Sequence, residues 1–326
     1  HKLTPKLSPK KTIEGCIGGI VGGVAKVELN NCDNYGAITQ NGVVNSAYTY
    51  VNKDKETVAT ATNLFAGGIA GNISTAGKID LCDNYGALNI NTKVMQADIA
   101  GIVGGAKISS FTQNNNHGDI TVAGEIYKNT GFCGLSSSFN VAADQCSNTG
   151  DITVSATQPA DTDSYGAFYI CGIAWTGNYA HKNFTNSGNI TFTGHSYKNV
   201  FISGAAYAPS KALKNIHNSG TLKANVNGLS CTLQIGGICR VTAAGASFEN
   251  CSNSGDIIFE GTSKGTVNLG GLAASMDAAF TTVGTGFTNS GSIKLLGSTT
   301  KSASAGGIPI GNRPMWRCGA GCHSLA

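Results

Sequence analysis

The sequence predicts an all-β fold, a right-handed parallel β-helix of about eight rungs with three short strands per rung. Three observations predict it: a pentad that recurs at near-constant spacing, a second landmark that travels with it, and period-two runs between the two.

The pentad is a small or apolar residue, any residue, Asn, a short polar or aromatic residue, then Gly. Its copies are Cys32–Gly36, Cys82–Gly86, Asn114–Gly118, Cys146–Gly150, Phe184–Gly188, Ile216–Gly220, Cys251–Gly255 and Phe287–Gly291, and Ile or Leu stands two residues after each Gly. The pentad glycines are 50, 32, 32, 38, 32, 35 and 36 residues apart. A period of that size, with one supersecondary unit per copy, marks a solenoid. Asn and Gly enter left-handed backbone cheaply, so the pentad is expected to turn a corner. Asn34, Asn84, Asn116, Asn148, Asn186, Asn218, Asn253 and Asn289 are then expected to stack rung over rung, with their amides hydrogen-bonded along the axis. The first pentad residue and the aliphatic after the Gly should point inward.

The second landmark is a pair of small residues followed by an aliphatic, as in Gly18-Gly-Ile20, Gly67-Gly-Ile69, Cys171-Gly-Ile173 and Gly270-Gly-Leu272. Its aliphatic precedes the pentad Gly by 15 to 19 residues. The pair marks a place with no room for side chains. Strand signals lie after the pentad Gly, around the landmark and before the next pentad. Asp151-Ile-Thr-Val-Ser155 alternates Ile152 and Val154 against Thr153, and Asp119–Ala123 and Asn189–Thr193 repeat the pattern. No long run carries helical spacing. Rungs stacked at about 4.8 Å would make a rod on the order of 40 Å long, and parallel crossovers set the right-handed coiling.

The stretches Gly19-Ile-Val-Gly22, Gly68-Ile-Ala-Gly71 and Gly101-Ile-Val-Gly104 are each followed by an Asn-x-Gly-x-Ile segment, with Leu88 in place of Ile in the second. In this the chain resembles the GLUG-type repeats of secreted bacterial surface proteins and some IgA-directed metallopeptidases. Later copies depart from it, as in Gly172-Ile-Ala-Trp175. The resemblance implies a secreted or surface-attached bacterial protein. The peptidase part is not implied, because none of the six histidines begins a His-Glu-x-x-His.

An unbroken repeat in 326 residues argues for one elongated unit at 13–311, between a basic Pro-containing linker at 1–12 and an irregular tail or cap at 312–326. With 45 glycines and 12% charged residues, the composition fits a tightly turned solenoid rather than a disordered chain. A net charge of +4, with Lys2, Lys6, Lys10 and Lys11 all in the linker, leaves no basic stripe on the repeats for nucleic acid. There is no apolar span of membrane-crossing length. Cys32, Cys82, Cys146 and Cys251 share a repeat position with Phe184, Ile216 and Phe287, which reads as core filling, with inter-rung disulfides the alternative in an oxidising compartment.

Asp33, Asp83, Asp119, Asp151 and Asp256 sit at shared repeat positions, so they read as turn residues rather than a catalytic pair or calcium site. No enzyme, metal or cofactor is expected. Asp161 and Asp163 lie in an insertion that reads as a solvated loop. Tyr48 and Tyr50 lie in the longest insertion, a candidate binding loop or a small hairpin. Trp175 and Tyr179, with His181, follow a landmark where other copies are plain, and are candidate sugar-contacting aromatics or local packing. Cys318, Cys322 and His323 resemble a widened haem-attachment motif, with a disulfide or cap the better reading.

The leading functional expectation is a structural or adhesive module at the bacterial surface or outside the cell. A glycan or host surface protein, or a second copy meeting end to end in a fibre, would be its partner. A carbohydrate-binding or carbohydrate-cleaving β-helix is the alternative. The feature that separates them is a non-repeating cluster of aromatics or carboxylates.

Overall fold

The computed structural model describes residues 13–43, 48–51, 57–60, 62–138, 140–158, 166–175, 179–242, 246–276, 286–307 and 317–318. Among these there is no helix, and the strands stack in parallel as a β-solenoid. A first sheet runs from Ile13–Gly18 through Thr62–Gly67, Gln96–Ala100 and Phe168–Cys171 to Ala303–Gly306. Each of its strands ends at the landmark, so the small-residue pair forms a corner and does not lie mid-strand. A second sheet leads into the pentads, as in Ala70–Asp80, Asp144–Asn148 and Lys182–Asn186. A third starts after the pentad Gly, as in Leu88–Val94, Ile120–Ile126 and Ile257–Ser263.

The solenoid has about six turns, fewer than the eight expected. The outer copies are thinly covered. Asn84, Asn116, Asn148, Asn186, Asn218 and Asn253 are at most 1% exposed, whereas Asn34 is 7% exposed and Asn289 only half-buried. The first landmark aliphatic, Ile20, is exposed for the same reason.

Two hydrophobic compartments run along the rod. One lies between the first and third sheets and takes the aliphatics after the pentad Gly, such as Leu88, Ile120 and Ile190, with Phe132, Phe168 and Phe259. The other takes the landmark aliphatics and the first pentad residues, including Cys82, Cys146, Phe184, Ile216 and Cys251. The shared position of cysteines and aromatics is therefore a core position. Burial pushes the Cys146 thiol up to about 12 and those of Cys82 and Cys251 to about 11, and all three are free.

The compartments are divided where the pentad Asn meets the landmark. Each of the first seven asparagines donates from Nδ2 to Oδ1 of the next, at 2.7–2.8 Å. The same nitrogen donates its other proton to the carbonyl two residues on, the pentad Gly of its own rung. Both amide protons and the carbonyl are thus satisfied in the dry interior. The asparagines are hemmed in on two sides by glycine. A Cβ on Gly86, Gly118, Gly150 or Gly188 would collide with the carbonyl of the preceding pentad Gly. A Cβ on Gly68, Gly101, Gly134 or Gly237 would collide with the Asn of its own rung and the landmark carbonyl of the next.

The expected left-handed corner lies one residue earlier than the pentad. Asn31, Leu81, Gln113, Gln145, Asn183, Asn215, Asn250 and Gly286 have φ between 50° and 84°, and no pentad Asn or Gly has positive φ. The pentad Gly is required by rung-to-rung sterics, not by backbone handedness. At the left-handed position Asn250 donates to Asn215 and Asn215 to Asn183, an outer ladder running opposite to the inner one.

Tyr48–Val51 pairs antiparallel with Thr57–Thr60, so Tyr48 and Tyr50 lie on a hairpin. At the far end Arg317–Cys318 pairs antiparallel with Ala303 and Ser304, so a segment of the chain itself occupies that edge of the first sheet.

Asn148→Ala removes the acceptor of Asn116 and the donor to both Asn186 and Gly150. A loss of about 3 kcal/mol is expected, since buried partners are stranded on both sides. At the half-buried end of the ladder, Asn289→Ala should cost about 1 kcal/mol or less. Urea midpoints of the two variants check the contrast.

Candidate functional site

The repeating polar side chains are used up in joining rungs. Asp33, Asp83, Asp119, Asp151 and Asp256 each accept a backbone N–H from the next rung, at 2.7–3.3 Å. Lys78, Lys93, Lys182, Lys214, Lys223 and Lys294 each meet a carboxylate on an adjacent rung. These ladders account for the carboxylates that a hydrolytic reading would recruit. Among the described residues no cluster of three or more His, Cys, Asp or Glu is gathered for a metal. Asp161, Asp163, Cys322 and His323 lie outside the described residues.

One group departs from the repeat, and it has a simple structural origin. In the first copies the second residue after the landmark aliphatic is Gly22, Gly71 and Gly104, which lets the chain fold back on the first sheet. A Cβ on Gly104 would stand 2.6 Å from the Ala66 nitrogen and 2.7 Å from the Asp98 carbonyl oxygen. In three consecutive later copies that position holds Trp175, Tyr207 and Arg240. Bridges Ala174↔Ala206↔Cys239 keep their stretches in register. Six residues before each, on the outer face of the first sheet, stand Tyr169, Phe201 and Gln234, themselves register partners. The result is two parallel columns of three side chains.

The columns pack on each other. Tyr169 meets Trp175 edge-on at 4.3 Å and Tyr207 at 4.7 Å, and Phe201 lies 5.0 Å from Tyr207. The Arg240 guanidinium caps the group 4.4 Å from the Phe201 ring and 5.3 Å from the Tyr207 ring. Its Nη1 donates to the Tyr207 hydroxyl at 3.3 Å and its Nε to Gln234 Oε1. Phe201 is buried, while Tyr169, Trp175, Tyr207 and Arg240 are half-buried, so the patch shows ring surface and one cation to solvent. Burial holds the Tyr169 hydroxyl up at about 12 and raises that of Tyr207, so both are neutral donors. Trp175 Nε1 is buried with no hydrogen-bond partner among the described residues.

Of the residues singled out in the sequence, Trp175 belongs to this patch and Tyr179 does not, since it packs against the second core compartment. His181 is also internal. Its Nδ1 accepts the Ala143 N–H at 3.0 Å, and burial lowers its pKa to about 4. Tyr48 and Tyr50 lie on the separate hairpin. Tyr169, Phe201, Tyr207 and Arg240 escape sequence reasoning because each alone is ordinary in a strand. The available signal was the loss of Gly at one repeat position in successive copies.

A second aromatic feature lies at the fourth pentad position. Tyr35, Tyr85 and His117 stack face to face at 4.8 and 4.7 Å, with Tyr35 72% and Tyr85 43% exposed. Tyr85 is covered on both faces, whereas Tyr35, at the end of the stack, has a ring partner on one face only; the stack follows the repeat and closes rungs.

In the outer row of the first sheet, two strands before Tyr169, lies Asp98, buried and held up at about 6 by desolvation. Asp98 and His181 bias stability in opposite directions. Unfolded His181 takes its proton near 6.5 and folded His181 near 4, so its contribution is lost as pH falls between those values. Folded Asp98 takes its proton near 6 against 3.8 unfolded, so its contribution is lost as pH rises over that range. Asp98→Asn should raise stability at pH 7. It should also expose the full acid loss from His181, on the order of 3 kcal/mol between pH 6.5 and 4. Urea midpoints across that range, for the native chain and the variant, check both effects.

The chain matches no protein-family model, no curated protein and no solved structure.

Proposed function

We propose that this chain is an adhesive module of a secreted or surface-attached bacterial protein, a rigid rod that holds carbohydrate at the Tyr169–Trp175–Tyr207–Arg240 patch. The observation that carries the reading is the break in the repeat. Recurring polar groups serve the joints between rungs, whereas these side chains replace glycine or lie opposite the replacement. Half-buried tyrosine and tryptophan rings with hydrogen-bonding tips suit the alternating apolar and hydroxyl surface of a sugar. The rung spacing of about 4.8 Å is close to the length of one pyranose in an extended glycan. A stiff parallel stack is suited to presenting such a patch at a distance from an anchoring point.

Binding of the full chain to an array of bacterial, plant and animal glycans tests the reading. The native chain should bind a subset, and Tyr207→Ala should weaken that binding at least tenfold while the thermal midpoint stays close to native. Absence of glycan binding, or binding indifferent to both Tyr207→Ala and Trp175→Ala, would contradict it.

A further inference from the structure

We infer that the patch takes a carboxylated saccharide, with the Arg240 guanidinium holding the carboxylate and the neighbouring rings the sugar face. The inference rests on the adhesive reading above and adds the chemical class of its ligand.

Arg240 is treated differently from the sheet lysines. Six lysines on the sheet faces have a carboxylate on an adjacent rung, whereas Arg240 makes no ion pair among the described residues. Its partners are a neutral amide and a neutral phenol. An arginine carries five N–H donors in a planar fork, and these two bonds use one from Nε and one from Nη1. The fork that suits a carboxylate bidentately is left incomplete. Desolvation by burial works against the charged form of Arg240 and lowers its pKa from the ordinary arginine value.

The surroundings point to an anion on a sugar. The acidic residue in the same outer row, Asp98, is four strands from Gln234, a distance of roughly 19 Å. No carboxylate of the chain competes from that row. Arg240 stands at one end of the column and the rings of Tyr207 and Trp175 follow it at one-rung intervals. A uronic or sialic acid with its carboxylate on Arg240 would lay its ring over Tyr207 and its neighbour towards Trp175. The unpartnered Trp175 Nε1 is a second uncompensated polar group in the same cluster, which packing alone does not explain.

Calorimetry on the full chain with matched pairs tests this. The pairs are an oligogalacturonate and its methyl ester, a glucuronic-acid oligosaccharide and its carboxyl-reduced form, and sialyllactose and lactose. Polyglutamate serves as a non-saccharide carboxylate. At least one acid should bind tenfold or more tightly than its neutral partner and than polyglutamate. Arg240→Gln should abolish that preference, and Arg240→Lys should lose most of it because an ammonium cannot form the fork. Lys294→Gln, at a surface rung joint, should leave it intact. Equal binding of acid and neutral partners, a preference that survives Arg240→Gln, or polyglutamate binding as tightly as the sugar acids would overturn the inference. The acid–neutral comparison needs no variant, so it decides the matter even where Arg240→Gln fails to fold. Glycan binding without acid preference would leave the adhesive reading standing. No glycan binding at all would remove both.

Discussion

The structure depends on one contact, the one between the pentad Asn and the landmark Gly of the same rung. At that point the cross-section is pinched, with backbone on both sides and a single carboxamide in the gap. Asn alone fits the requirement. Its side chain is short enough for the gap, and it carries two donors and an acceptor aimed along the axis. The glycines on either side follow from this, because any Cβ would meet the amide or the neighbouring rung's carbonyl. Closing the pinch separates two dry compartments, each filled by one aliphatic or aromatic position of the repeat. The cost of burying seven amides is offset by the continuity of the chain of hydrogen bonds, which polarise one another along the rod.

Much of this was legible because the pattern recurs. A position that keeps Asn through eight copies, or exchanges Cys for Phe, states its environment without reference to any partner. The places where sequence reasoning went astray are those where two residue types serve different purposes under one motif. Gly and Asn both favour left-handed backbone, so the corner was placed in the pentad. Leu81, Gln113 and Gln145 carry that conformation with no compositional sign of it. The number of turns was overestimated for a similar reason. A terminal copy such as Phe287–Gly291 reads like any other, although its neighbours cover it on one side only.

The candidate site shows the complementary case. A solenoid makes chemistry visible where it breaks its own rule, and the rule here is a small residue after the landmark: Gly22, Gly71, Gly104, Ser137 or Ala274. Where it is replaced, Trp175, Tyr207 and Arg240 pack over Tyr169, Phe201 and Gln234 on the outer face of the first sheet. Trp175 stands out in the sequence because it follows a landmark at a place where other copies are plain. Its partners were hidden because they come from neighbouring rungs, and only the stacking register brings residues 32 or 33 positions apart onto one patch. Tyr179 and His181 were drawn in by proximity along the chain, yet the fold turns them into the second core compartment.

The most direct measurement of the central contact is hydrogen exchange of the asparagine side chains, followed by NMR on protein labelled with ¹⁵N-Asn. If the ladder holds the rod together, the carboxamide protons of Asn84, Asn116, Asn148, Asn186, Asn218 and Asn253 exchange only when the solenoid opens, orders of magnitude more slowly than those of a free amide. Carboxamide protons at these six positions that exchange as fast as those of an exposed asparagine would contradict the account.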